Sequence, residues 1–88
     1  AAERQARLAA RRPLVKERDA LERKLAAWQA ERRQIEARLA DPALYAGATD
    51  AALLQELHRR QAELAAQIDE AELRWLEIEE ALEALAVE

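Results

Sequence analysis

One ten-residue stretch in the middle of the chain decides its fold: Asp41-Pro42-Ala43-Leu44-Tyr45-Ala46-Gly47-Ala48-Thr49-Asp50. Pro42 disfavours helical backbone at the residue before it, so a first helix is expected to end at about residue 40. Asp41 can then cap a short turn, which Gly47 ends in the left-handed conformation. Asp50 or Thr49 is expected to cap a second helix.

Apolar stripes with alternating steps of three and four residues flank this loop on both sides. Such spacing places one narrow apolar stripe on each helix, which is the pattern of a coiled-coil seam. The first stripe is Leu14, Leu21, Leu25, Trp28, Ile35 and Leu39, and the second is Leu54, Leu57, Leu64, Ile68, Ala71, Trp75, Ile78, Leu82 and Leu85. The predicted fold class is therefore all-α, a two-helix antiparallel coiled-coil hairpin.

Adding residue numbers tests this pairing, because facing positions of an antiparallel hairpin have a nearly constant sum. The apolar layers all give sums of 92 or 93: Leu39 with Leu54, Ile35 with Leu57, Trp28 with Leu64, Leu25 with Ile68, Leu21 with Ala71, and Leu14 with Ile78. Two further layers are polar, with Arg18 opposite Trp75 and Arg32 opposite Gln61. Either arginine can turn out to solvent or to neighbouring carboxylates, and Arg18 can instead stack on the indole ring.

Pro13 leaves two alternatives for the Arg-rich residues 1–12, a linker or a frayed or kinked helical extension. The extension is favoured, because the second stripe continues to Leu85 and Leu8 lies at the depth that covers it. The expected organisation is an extension over 1–12 and a hairpin over 13–88, with a helix over about 13–40, a loop over 41–50 and a helix over about 51–86.

Length and composition narrow the classes of protein to which the chain can belong. With 88 residues the chain is one small domain at most, and since it lacks an initiator methionine we expect it to be a segment of a longer protein. It has no cysteine, no signal peptide and no apolar run long enough to span a membrane. Two-helix hairpins bury little surface, so we expect a monomer or weak self-association.

The sequence lacks the combinations of residues that common catalytic sites require. There is no serine, a single glycine and a single histidine, His58, so neither a Ser–His nucleophile nor a Gly-rich phosphate loop can form. His58 is expected at the edge of the seam or in solvent, because no second histidine lies at helical spacing to share a metal. We therefore expect no catalytic residue, no metal site and no cofactor site.

Charge divides the two halves. Residues 1–40 carry eleven Lys/Arg and six Asp/Glu, a net +5, whereas residues 41–88 carry three and twelve, a net −9. One interpretation is mutual attraction of the two helices across the seam. The other is contact of the basic helix with nucleic acid.

Nine basic residues lie off the apolar stripe of the first helix or precede it, and these are the candidate nucleic-acid-binding residues. They are Arg4, Arg7, Arg11, Arg12, Lys16, Arg23, Lys24, Arg33 and Arg38. No aromatic residue lies among them to stack on bases, so binding is expected to be weak, sensitive to salt and not sequence-specific. At the loop tip, Leu44 and Tyr45 are expected to plug the end of the core or, alternatively, to contact a protein partner.

Three motifs resemble one family in order and spacing: Arg11-Arg12-Pro13-Leu14, Arg38-Leu39-Ala40-Asp41-Pro42-Ala43-Leu44-Tyr45 and Arg74-Trp75-Leu76-Glu77-Ile78-Glu79-Glu80. Together they resemble the C-terminal coiled-coil domain of ABC-F ATPases of the Uup and YheS branch. The resemblance implies a soluble cytoplasmic parent protein with two ATP-binding cassettes, its ATP and Mg sites upstream, which acts on ribosomes in translation. It also implies a DNA- or RNA-binding role for the hairpin, with DNA or ribosomal RNA as the partner.

Overall fold

The computed structural model describes residues 1–48 and 50–86, which form a helical hairpin. Helix α1 is Ala2–Ala40, a 3₁₀ turn is Pro42–Tyr45, and helix α2 is Ala51–Ala84. The molecule measures 71 × 15 × 14 Å, as expected for two long helices side by side. The predicted all-α antiparallel hairpin is confirmed, and the described residues contain no strand.

The core is one layer of side chains between the two helices. Its buried members follow the predicted stripes, and among the described residues they are Ile35, Leu57, Leu64, Ile68, Ala71, Ile78 and Leu82. Six of these seven residues belong to α2. The residues of the α1 stripe other than Ile35 are half-buried. This single seam holds the two helices together, and among the described residues only the 3₁₀ turn packs on its end.

A cluster near the loop confirms the register. Ile35, Leu57 and Leu64 are buried together, and Trp28 packs against them. These four residues make up two of the expected layers, Ile35 with Leu57 and Trp28 with Leu64. The constant sum of residue numbers therefore located facing positions correctly at this end of the hairpin.

The 3₁₀ turn closes this end of the core. The Asp41 carboxylate accepts a hydrogen bond from the backbone N–H of Ala43 at 2.9 Å, and Pro42 occupies the first position of the turn. Leu44 then packs against the buried cluster as the predicted plug. Gly47 has a φ of 73°, the left-handed conformation expected where the turn ends.

Helix α2 begins with a side-chain cap. The Asp50 carboxylate accepts hydrogen bonds from the backbone N–H groups of Ala52 and Leu53, at 3.0 and 3.2 Å. The capping role predicted for Asp50 is confirmed, and its alternative, Thr49, lies outside the described residues. These two bonds satisfy N–H groups that have no partner inside the helix.

Helix α1 runs through Pro13, so residues 2–12 are its first turns. The favoured alternative for residues 1–12, a helical extension, agrees with this helix, which begins at Ala2 rather than at about residue 13. Pro13 lacks an N–H and leaves one intrahelical bond unmade, yet its ring is exposed and the helix continues on both sides. A cross-helix bond holds these turns in place, because an Arg11 Nη1–H donates to the carbonyl oxygen of Leu82 at 2.7 Å.

Candidate nucleic-acid interface

Seven of the nine candidate binding residues are exposed and form no ion pair with any residue that the structure describes. They are Arg4, Arg12, Lys16, Arg23, Lys24, Arg33 and Arg38. The other two are engaged within the hairpin. Arg7 pairs with Glu3 at 2.8 Å, and Arg11 donates to the Leu82 carbonyl. Positive charge that can meet an external anion is therefore concentrated on α1.

Helical spacing places part of this charge on the outer face of α1. Arg12, Lys16 and Arg23 are separated by four and seven residues, so they lie above one another on the side away from the seam. Arg12 and Arg23 are separated by roughly 16 Å along the axis, at a rise of about 1.5 Å per residue. Such an elongated row can follow a phosphate backbone, but it forms no pocket for a single base.

The basic residues of α2 are occupied by carboxylates. Arg60 binds Glu31 of α1 through two hydrogen bonds of 2.6 and 2.9 Å. Arg74 binds Glu17 in the same way, at 2.6 and 2.8 Å. Arg59 pairs with two glutamates of its own helix. The outward charge of α2 is therefore strongly negative, and it would repel a phosphate backbone from that side.

These cross-helix pairs perturb the titration of their carboxyl groups. The hydrogen bonds from Arg74 lower the pKa of Glu17, and those from Arg60 lower the pKa of Glu31. In both cases partial desolvation acts in the opposite direction and is outweighed. These bidentate pairs have the reverse polarity from the expected attraction, because carboxylates of the basic helix hold arginines of the acidic helix. Among the described cross-helix ion pairs, Arg18 with Glu79 has the expected polarity.

Acid should remove the contribution of these pairs to stability. Because the pKa values of both carboxyl groups are lowered in the folded state, the stabilisation is complete above their unfolded pKa of about 4.3 and is lost as pH falls through the folded values. The double variant Glu17→Gln/Glu31→Gln should melt a few degrees below the parent at pH 7. The gap should close as the pH falls below about 4.3, in melts followed by circular dichroism.

Glu70→Gln is the matched control for that measurement. Glu70 is exposed and forms no ion pair with a described residue. The melting temperature of the Glu70→Gln variant should equal that of the parent chain at every pH. A gap between the double variant and the parent that stays constant down to pH 3 would show that the pairs do not stabilise the hairpin.

The two polar layers adopt the alternative in which arginines turn to carboxylates. An Arg18 Nη1–H donates to Glu79 at 3.2 Å, and the Arg32 guanidinium lies 3.8 Å from Glu36. The indole N–H of Trp75 donates to Glu22 at 3.1 Å. These contacts leave the polar positions half-exposed at the rim, so neither arginine is buried in the seam.

Sequence reasoning did not single out the carboxylates of α1 that hold α2. A signal for them was present, because Glu31 with Arg60 and Glu17 with Arg74 both give a sum of 91. That sum is one less than the sum of residue numbers in the adjacent apolar layers, as expected for positions that flank the seam. Opposite charges at constant sum could therefore have located both pairs.

The loop tip presents one exposed aromatic side chain. Tyr45 is 48% exposed, and its hydroxyl donates to the Leu39 carbonyl at 2.7 Å. This hydrogen bond fixes the ring against the end of α1 while leaving much of its surface in solvent. Leu44 fills the plug position alone, so Tyr45 is available to a partner as the alternative prediction requires.

The described residues contain neither a candidate metal site nor a deep pocket. No cluster of three or more metal-ligating side chains occurs among residues 1–48 and 50–86, and His58 is exposed. Within the same residues, neither helix contains a stretch long and apolar enough to cross a membrane. The concave surfaces are shallow and lie along the helices rather than within a core.

Fold and surface together define a coiled-coil hairpin module with one basic helix and one acidic helix. The chain belongs to the family described as the ABC transporter C-terminal domain, which its sequence matches over residues 3–80. No curated protein and no solved structure matches the chain. The family match agrees with the ABC-protein resemblance of the three sequence motifs and makes the hairpin an accessory domain of an ABC protein.

Proposed function

We propose that this hairpin is a non-catalytic nucleic-acid-binding accessory domain of a soluble cytoplasmic ABC-F ATPase that acts on the ribosome in translation. One observation carries the proposal. Seven basic side chains of α1 are exposed and unpaired among the described residues, whereas the three arginines of α2 are paired with glutamates. Attraction within the hairpin therefore accounts for only part of the charge on α1, and the remainder faces outward.

The chemistry of this surface favours the phosphate backbone as its target. Arginine and lysine side chains bind phosphates without reading bases when they lie along an exposed helix face. No aromatic ring lies among the seven cations to stack on an unpaired base. Duplex DNA and double-helical segments of ribosomal RNA both present a continuous phosphate backbone, so either can be bound through the outer face of α1.

A salt titration tests the proposal. Fluorescence anisotropy with a labelled DNA duplex and a labelled ribosomal RNA hairpin should show micromolar binding at about 20 mM salt. With about four phosphate contacts, the association constant should fall roughly 100-fold between about 50 and 200 mM salt. Absence of binding at about 20 mM salt, where phosphate contacts are strongest, would overturn the proposal.

A second function is supported by the exposed ring at the tip. In this alternative the hairpin is a brace that packs on the ATP-binding domains of the parent protein or on a ribosomal protein through Leu44 and Tyr45. Tyr45→Ala should then lower co-sedimentation of the parent protein with ribosomes at least about fivefold, as loss of an aromatic interface anchor does. It should leave duplex binding by the hairpin unchanged.

Tyr45→Phe is the matched control for the tip. It keeps the exposed ring but removes the hydroxyl that donates to Leu39. Retention of ribosome binding by the Phe variant and loss by the Ala variant would assign the contact to the ring. Full ribosome binding by the Ala variant would eliminate the tip as the contact.

A further inference from the structure

Two adjoining concave surfaces lie at the end of the hairpin opposite the loop. One lies between the helices, has a volume of about 590 Å³, and is lined in part by Arg11, Leu76 and Glu79. The other lies along α1, has a volume of about 450 Å³, and is lined in part by Leu8, Arg11 and Val15. Arg11 lines both, so they form one continuous surface, here called the terminal face.

The terminal face leaves apolar side chains uncovered. Leu76 is 53% exposed on α2, and Leu8 and Val15 are only half-buried on α1. Leu8 and Val15 are seven residues apart, which places them on the same side of α1. The opposite edge of the seam differs, because the ion pairs of Glu17 and Glu31 with arginines of α2 bridge the two helices there.

Charge at this end of the hairpin indicates what can cover the face. Residues 1–24 carry eight Lys/Arg and four Asp/Glu, a net +4, and residues 69–86 carry one and seven, a net −6. A covering partner must therefore present acidic groups over α1 and basic groups over α2. A second copy of this chain has both kinds of surface at the same distance from its end.

The register adds a geometric match. Arg12 and Glu80 have numbers that sum to 92, as do Arg23 and Asp69, so each basic residue lies level with an acidic residue of the other helix. All four are exposed and unpaired among the described residues. A two-fold axis parallel to the hairpin would place α1 of one copy over α2 of the other and bring these charges together. A two-fold axis perpendicular to the hairpin would place α1 of one copy over α1 of the other, and the two basic helices would repel each other.

We infer that two copies of the chain associate through the terminal face as a parallel, two-fold symmetric dimer. Val15 of each copy then packs against Leu76 of its partner, and Arg12 lies beside the partner's Glu80. The face covers only one end of a narrow molecule, so the interface is smaller than the roughly 1,200–2,000 Å² of stable complexes. The dimer is therefore a weak one that forms with rising concentration.

Sedimentation equilibrium between about 1 µM and 1 mM, without nucleic acid, tests this inference. The parent chain should change from monomer to dimer within that range, and Val15→Glu/Leu76→Glu should remain monomeric. Ala27→Glu is the control, because Ala27 is exposed on α1 outside the terminal face. It should dimerise as the parent does. A parent chain that is monomeric at 1 mM, or that forms larger assemblies without a dimer, would overturn the inference.

Charge reversal distinguishes this pairing from other contacts between copies. Arg12→Glu and Glu80→Arg should each weaken the dimer about fivefold, since the symmetry repeats every lost contact. The double variant should return to within about twofold of the parent. Circular dichroism should show unchanged helix content in all three variants. Failure of the double variant to recover would rule out the Arg12–Glu80 contact and with it the parallel arrangement.

A spin label at the loop tip measures the direction of the two copies. The chain has no cysteine, so Ala46→Cys provides a single attachment point far from the terminal face. Electron–electron distances should be about 20–40 Å in the parallel dimer, because packed helices lie about 10 Å apart. An antiparallel dimer of 71 Å hairpins would separate the labels beyond the measurable range, which would contradict the inference.

The dimer and the proposed function can fail independently. Arg12 belongs to both surfaces, whereas Arg23, Arg33 and Arg38 lie towards the loop, outside the terminal face. Sedimentation without nucleic acid reports on the dimer alone, and anisotropy with Val15→Glu/Leu76→Glu reports on nucleic-acid binding by the monomer. Loss of dimerisation in that variant with retained duplex binding would support both statements.

Discussion

We expect the Leu64→Ala variant to be about 3 kcal/mol less stable to unfolding than the parent chain. The Leu64 side chain is fully buried and packs with Ile35 and Leu57. Truncation removes apolar contacts and leaves a cavity, and the hairpin has no second layer of core that could compensate. Urea unfolding at a few micromolar protein, followed by circular dichroism at 222 nm, measures the change.

Leu73→Ala is the matched control for this measurement. Leu73 is on the same helix but is 61% exposed, so its truncation should change the unfolding free energy by less than about 0.5 kcal/mol. Equal losses for the two variants would mean that the seam around Leu64 does not hold the hairpin. A large difference between them would establish that one layer of buried side chains provides most of the stability.

Replacement of Lys16, Arg23, Lys24 and Arg33 with glutamine should lower duplex affinity at least about 100-fold at about 50 mM salt. All four side chains are exposed and unpaired among the described residues, so their removal takes no contact from the core. The slope of log affinity against log salt should become shallower by about 0.9 for each phosphate contact that the replacements remove. Anisotropy titrations at several salt concentrations give both numbers.

Arg59→Gln is the control for the basic face. It removes a positive charge of α2 that is already paired with Glu56 and Glu63. Its duplex affinity should stay within about twofold of the parent. If the control loses as much affinity as the fourfold variant, or if the fourfold variant binds as tightly as the parent, the interface is not the outer face of α1.

The seam and the loop could be predicted from the sequence because their signals are local and periodic. The position of Leu64 opposite Trp28 followed from heptad spacing and the constant sum of residue numbers. The roles of Asp41, Gly47 and Asp50 followed from the backbone preferences of each residue type. These features depend on residues close in sequence or on a repeated pattern, so no three-dimensional detail was needed.

The start of α1 and the partners of the charged side chains could not be predicted in the same way. Pro13 left a linker and a helical extension as alternatives, because propensity counts the lost hydrogen bond but not the contact of Arg11 with the Leu82 carbonyl. Arg18 donates to Glu79, and this contact depends on side-chain rotamers that the sequence does not specify. The candidate phosphate contacts also depend on rotamers, because several long basic side chains can reach the same phosphate.

The continuity of α1 has a mechanical consequence. Because one helix runs from Ala2 to Ala40, the loop tip is carried at the end of a long rod. A rotation of about 10° at the start of α1 would displace the tip by about 12 Å across the 71 Å molecule, as in rigid-body motions of whole elements. The hairpin can therefore act as a lever that converts a small movement at its base into a large excursion of Tyr45.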